Sequence, residues 1–167
     1  MNNLMFLGAK SCGKSTIMNS LHRLLSESGY RVFTLDKRDY TSIEMIGQSL
    51  CKYDCILIEG DELTDVKIAD MVDASVVLVG DIERGGVFAV LYGMYALLNG
   101  QRVSGFLINK FRGDDAILMS GLKFLEEKTG VPFLGIIPHI SDMDDFIEVF
   151  RGAVEPDVMS QILGVNL

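Results

Sequence analysis

The chain has no tryptophan, three cysteines, three prolines and two histidines among its 167 residues, and each scarcity removes a class of protein. Cys12, Cys51 and Cys55 are odd in number and lack C-x-x-C spacing, with only His22 and His139 as imidazole partners. Neither a disulfide framework nor a zinc site is supported, and reduced thiols are expected. Positive charge is also short: 15 Lys and Arg against 23 Asp and Glu give a net charge of −8, and the isoelectric point is near 4.7. That balance argues against a broad basic footprint, so neither nucleic acid nor an anionic membrane surface is expected as a partner. No stretch approaches the about 18 apolar residues that span a bilayer, and no basic segment precedes the first apolar run. A cytoplasmic protein is expected. Repeats, low-complexity tracts and Pro/Gly/Ser-rich linkers are missing as well, so residues 1–167 are expected to form one domain with a short acidic extension from about 139.

What is present is a series of short apolar runs at 4–7, 31–35, 55–58, 75–79, 105–108 and 133–137. Between them lie helical spacings: Ile17, Leu21, Leu24 and Leu25 up to Gly29, then 87–98 and 116–128. Continuous apolar strands alternating with helices indicate a sheet buried on both faces. The expected architecture is α/β: a three-layer P-loop NTPase domain with a mainly parallel central sheet. Past Pro138 the periodicity weakens. Asp142, Asp144, Asp145 and Glu148 make an acidic stretch in which Phe146, Val149 and Phe150 would pack a short helix.

Between the first run and the first helix stand Gly8, Ala9, Lys10, Ser11, Cys12, Gly13, Lys14, Ser15 and Thr16. They meet the pattern GxxxxGK[ST] in the strand–loop–helix setting that gives the pattern its meaning. The glycines free the backbone to turn consecutive N–H groups toward phosphate oxygens, and the helix start adds its positive dipole end. Lys14 would reach the β- and γ-phosphates, Ser15 would offer its hydroxyl to Mg²⁺, and Thr16 would steady the α-phosphate side.

Other candidates lie where parallel strands end, the edge at which such sheets bind ligands. Glu59 closes the apolar strand 55–58 and is the Walker-B-like residue, able to serve Mg²⁺ directly or through water. Asp36 and Asp39 follow the second strand and could approach the metal or the γ-phosphate, although turn formation explains such aspartates equally. Asp81, Glu83 and Arg84 precede Gly85 and Gly86 on the rim after the fourth strand. Asn109 and Lys110 close the fifth strand, where an amide could meet a purine edge. Arg112 stands where guanine-specific NKxD motifs carry aspartate, so guanine is not indicated. His22 and His139 are read as packing or surface residues.

Longer stretches carry a resemblance: DIERGGVFA at 81–89, INKFRGD at 108–114 and LEEKTGVPFLGIIP at 125–138, with the P-loop at the N-terminal end. In these the chain resembles cobyric acid synthase, a family related to the cobyrinic acid diamide synthases and dethiobiotin synthetases. The resemblance implies ATP and Mg²⁺ as cofactors, and activation of a carboxylate as an acyl phosphate that ammonia or an amine captures. It implies a corrinoid acid as substrate and a role in cobalamin biosynthesis. On this chain it implies catalytic roles for Lys14, Glu59, Asp81 and Arg84, an adenine-facing Asn109, and metal contacts from Ser15, Glu59 and Asp36. Two departures stand out. Only residues 36–53 bridge the interval in which that family carries a long substrate segment, and no glutaminase domain follows the sixth strand, so ammonia would come free or from a separate glutaminase subunit. Ala9, rather than a lysine, follows the first glycine, unlike signature-lysine ATPases. The alternative function is a nucleotide-dependent switch or adapter of the same P-loop class. A homodimer is expected because proteins of this class pair face to face around nucleotide.

Overall fold

The computed structural model describes residues 2–36, 52–61, 63–140 and 145–165. Asp39, Cys51, Asp142 and Asp144 lie outside the described residues.

Six strands form one sheet in the order β2-β3-β1-β4-β5-β6, and every neighbouring pair is parallel. The strands are β1 (Asn3–Gly8), β2 (Val32–Leu35), β3 (Cys55–Gly60), β4 (Ala74–Asp81), β5 (Val103–Phe111) and β6 (Phe133–Pro138). Among the described residues six α-helices cover it: α1 (Lys14–Glu27), α2 (Val66–Met71), α3 (Val87–Leu97), α4 (Met119–Thr129), α5 (Phe146–Ala153) and α6 (Pro156–Leu163).

The three layers follow from the two-residue period of each strand. Leu4 and Phe6 of β1, Leu57 of β3, Val77 and Val79 of β4 and Leu107 of β5 face one side, against Ile17, Leu21 and Leu25 of α1, Phe146 and Phe150 of α5 and Met159 and Leu163 of α6. Their sequence neighbours Met5, Leu7, Ile56, Ile58, Val76, Leu78 and Ile108 face the other side, against Ala69 of α2, Val87 and Leu91 of α3 and Leu122 and Leu125 of α4. A strand apolar at every position is therefore satisfied only between two helical layers. Leu4 to Leu7 are accordingly fully buried at the centre of the sheet, whereas Val32, Phe33 and Thr34 of the edge strand β2 are half-buried.

The chain reverses its direction of travel across the sheet at β1, which pairs with β3 on one side and β4 on the other. In open parallel sheets such a switch point leaves a crevice outside the carboxyl ends of the strands, and residues 8–13 occupy that position.

The expected strands and long helices are all present, with most strand ends shifted outward, whereas β2 starts one residue later than expected, at Val32. β3, β4 and β5 run on to Gly60, Asp81 and Phe111, which carries Glu59, Asp81 and Asn109 inside strands rather than into loops. The helix expected over 116–128 is divided into a 3₁₀ turn, Asp115–Ile117, and α4, because the Asp114 carboxylate caps the Ala116 N–H at 2.9 Å. Two helices were not expected. The six residues of α2 are too few for a periodic pattern. Helix α6 opens on Pro156, whose fixed φ suits the first turn.

Candidate functional site

Residues 8–13 turn sharply between β1 and α1 because Ser11 (φ 63°) and Gly13 (φ 97°) adopt left-handed backbone. Alternation of this kind aims successive N–H groups into one concavity, the geometry of an anion nest. Glycine is required at both ends. A Cβ on Gly8 would collide with the Val79 carbonyl, and one on Gly13 would collide with the Asn109 amide.

The loop is braced from below by β5. Asn109, 3% exposed, donates from Nδ2 to the Cys12 carbonyl at 2.9 Å and accepts the Lys110 N–H at 2.9 Å. The structure thus places Asn109 beneath the loop, with the amide committed to its backbone. Lys110 is itself in left-handed backbone (φ 64°) and donates from Nζ to the Ser11 carbonyl and to Asp81 Oδ2, both at 2.8 Å. Spacing singles out Asn109 but not Lys110, which becomes visible only once β4 and β5 lie side by side.

Asp81 anchors this corner. Its side chain is 4% exposed; besides Lys110 it meets Arg84 Nε at 3.3 Å and accepts the Glu83 N–H at 3.1 Å. Arg84 is the more exposed of the pair expected at the reacting end. Glu83 continues the pattern outward, meeting Arg112 Nε at 3.0 Å and His139 Nε2 at 3.7 Å. Two acids at i and i+2 on one turn therefore take two cations at i and i+2 from the end of β5.

The candidate phosphate- and metal-binding side chains converge on the other flank. Lys14 is 2% exposed and donates to the carbonyls of Gly8 at 3.0 Å and Ala9 at 3.1 Å, and it pairs with Asp61 Oδ1 at 3.3 Å. Ser15 donates from Oγ to Glu59 Oε1 at 2.8 Å. Asp36 follows β2 at the same end of the sheet, since Leu35 pairs with Ile58 just before Glu59. Asp61 gives no signal in the sequence alone. The register of β3 on β1, Leu7 opposite Gly60, brings it to the loop.

Cys12 lies buried in the loop with Sγ 3.9 Å from Lys14 Nζ. Burial raises its thiol pKa, and the neighbouring ammonium offsets only part of that, so the thiol stays protonated at neutral pH. Ala9, Lys10, Ser11 and Ser15 are exposed, and Thr16 is half-buried. A cleft of about 260 Å³ opens beside the start of α1, lined by Ser15, Thr16, Asn19, Arg23 and Phe146. A larger groove of about 470 Å³ lies farther along α1, lined by Leu21, Leu24, Phe150, Val154 and Met159. Its apolar lining belongs to the packing of α5 and α6 on α1, away from the charged groups of the loop.

Together these groups make a site fit for a metal-bound polyphosphate. The nest and the helix start could hold phosphate oxygens, and Lys14 could balance their charge. Ser15 with Glu59 could hold Mg²⁺, which takes one or two protein oxygens and leaves its other positions to phosphate and water.

Comparison with known proteins agrees with this geometry. The chain is 45% identical over 124 residues to the cobyric acid synthase of Geobacillus thermodenitrificans, covering 64% of this chain and 25% of that protein. It is 57% identical over 81 residues to a probable cobyric acid synthase of Methanosarcina mazei, covering 47% and 17%. The chain thus spans about a quarter or less of the length of these curated relatives. Among solved structures, the MinD cell division protein of Aquifex aeolicus superposes with a TM-score of 0.65 at 16% identity, over 92% of this chain and 88% of that one. Chloroplast FtsY of Physcomitrella patens superposes with a TM-score of 0.60 at 14% identity, over 89% and 64%. At such identities the likeness speaks for the fold, and the resemblance to cobyric acid synthase carried by DIERGGVFA and NKFRGD is borne out by the sequence matches. The pattern of the CobQ/CobB/MinD/ParA nucleotide binding domain matches residues 4–149, and the chain belongs to that family.

Proposed function

We propose that this chain binds Mg-ATP and works as the synthetase part of an amidoligase, phosphorylating a carboxylate so that ammonia or an amine can displace the phosphate and form an amide. The observation that carries the reading is the Ser15–Glu59 hydrogen bond of 2.8 Å beside the buried ammonium of Lys14. A hydroxyl and a cation from the loop–helix turn, met by a carboxylate from the end of the neighbouring strand β3, are the donor set for a metal-bound triphosphate. ATP supplies the phosphoryl group. The chain's own part is to orient it: Lys14 and the loop amides hold the terminal phosphates, Ser15, Glu59 and Asp36 serve the metal, and Thr16 steadies the inner phosphate. The cleft flanked by Thr16, Asn19 and Phe146 takes the nucleoside.

The likeness to cobyric acid synthases supports a corrinoid acid as substrate and a place in cobalamin biosynthesis. On that reading Arg84 receives the acid at the rim, with free ammonia or a separate glutaminase subunit as nitrogen source. We further propose a cytoplasmic homodimer.

The test is turnover of Mg-ATP by the purified protein with and without a corrinoid carboxylate and ammonium, following ADP and amide together. ADP and amide are expected to appear in equal amounts, and Lys14→Ala or Glu59→Gln to lower the rate by about 100-fold or more. ATP hydrolysis indifferent to every carboxylate would overturn the ligase reading. If ATP then changes the molecular mass by light scattering, the nucleotide-dependent switch takes its place.

A further inference from the structure

The ammonium of Lys14 already has a full set of partners within this chain. Its three N–H donors meet the Gly8 and Ala9 carbonyls and the Cys12 sulfur, the Asp61 carboxylate pairs with it as counter-ion at 3.3 Å, and the side chain is 1% exposed. The terminal phosphates of ATP require the same ammonium, on the reading given above, on which this inference rests. Two anions cannot hold it together without strong mutual repulsion at such short range.

Asp61 is delivered to this position by the end of β3. Leu7 pairs with Gly60, so Asp61 comes level with Gly8, the first residue of the loop. Gly60 permits the approach, because a Cβ there would lie 2.9 Å from Leu7 Cδ1. Glu59 and Asp61, two residues apart on an extended chain, leave the strand on the same side. One takes the Ser15 hydroxyl and the other the Lys14 ammonium.

The carboxylate is also free to leave. Asp61 N donates to Asp65 Oδ2 at 2.9 Å, and Asp65 is 9% exposed, so the backbone of residue 61 is held in place. The Asp61 side chain is 40% exposed and reaches water by rotation alone.

We infer that Asp61 is a specificity-determining residue: an internal counter-ion that occupies the terminal-phosphate position on Lys14 and must be displaced by the incoming nucleotide. Because the lysine of a P-loop serves the β- and γ-phosphates, displacement opposes a triphosphate more than a diphosphate. Asp61 thereby narrows the preference of the loop for ATP over ADP.

Calorimetric titration of the wild type, Asp61→Asn, Asp61→Ala and Lys14→Ala with Mg-ATP and with Mg-ADP tests this. Both Asp61 variants are expected to bind ATP about tenfold more tightly and ADP less than about threefold more tightly than the wild type, with the gap narrowing in high salt. Thermal unfolding of each variant reports whether it is folded, and two replacements guard against one that is not. Unchanged ATP affinity in both would overturn the inference, and weaker affinity would make Asp61 a metal or phosphate-positioning group instead. Should neither the wild type nor any variant bind either nucleotide, the P-loop reading itself fails; should the wild type bind and the Asp61 variants match it, only this inference does.

Discussion

Arg31 and Asp54 clasp each other at the end of the sheet opposite the loop, just ahead of β2 and β3. Arg31 Nε meets Asp54 Oδ2 at 3.1 Å and Nη2 meets Oδ1 at 2.9 Å, while the Arg31 N–H donates to Oδ2 at 2.8 Å. The guanidinium hydrogen bonds, then that backbone N–H, hold the Asp54 carboxyl at a pKa of about 2, below the usual 3.8. A carboxyl depressed by folding stabilises the native state above its unfolded pKa, and that contribution is lost as pH falls toward the folded value. Urea midpoints of the wild type and Asp54→Asn are therefore expected to differ at about pH 6 and to converge as pH falls from about 4 toward 2. A gap that stays constant over that range would show the pair to be irrelevant to acid stability. Cys55, next along the chain and first in β3, has its thiol pushed up to about 12 by burial between the sheet and its helical layer.

At the scale of elements, the phosphate loop borrows its shape from β5. Replacing Asn109 by Ala removes the only side-chain donor recorded to the Cys12 carbonyl among the described residues. A lost buried hydrogen bond costs about 1–3 kcal/mol, and the loosened loop is expected to bind Mg-ATP more weakly although Asn109 need not touch a phosphate. Equilibrium unfolding and calorimetry on Asn109→Ala check both effects, and undiminished affinity would show the brace to be dispensable. This dependence explains what could be read in advance. GAKSCGKST is a local pattern whose spacing is its geometry, so Gly8, Gly13, Lys14 and Ser15 were legible, and Glu59 was legible because an acid ending an apolar strand must emerge at the binding edge. Lys110 and Asp61 were not, since their roles arise from pairing β4 with β5 and β1 with β3, and no run of neighbouring residues encodes a register between strands. Asp81 was legible as a residue of the rim, whereas its burial beneath Lys110 required the two strands to be set side by side.

Over the whole molecule, a chain of net charge −8 presents a local concentration of donors to an anionic ligand. Any ligand that binds the folded form alone stabilises it by mass action, by about 2.7 kcal/mol at a hundred times its dissociation constant. For a domain of this size that corresponds to a rise in Tm of about 5–10 °C. Differential scanning fluorimetry should show such a rise with Mg-ATP for the wild type and none for Lys14→Ala. Absence of any rise at millimolar Mg-ATP would contradict nucleotide binding at the loop.

The bonds from Asn109 to Cys12 and from Lys110 to Ser11 join residues 97 and 99 positions apart. Early in folding, a segment that leaves the N-terminal strand and first helix intact still lacks these two props. Capacity for nucleotide is therefore expected only once the fifth strand has docked, because contacts of such sequence separation are slow to close.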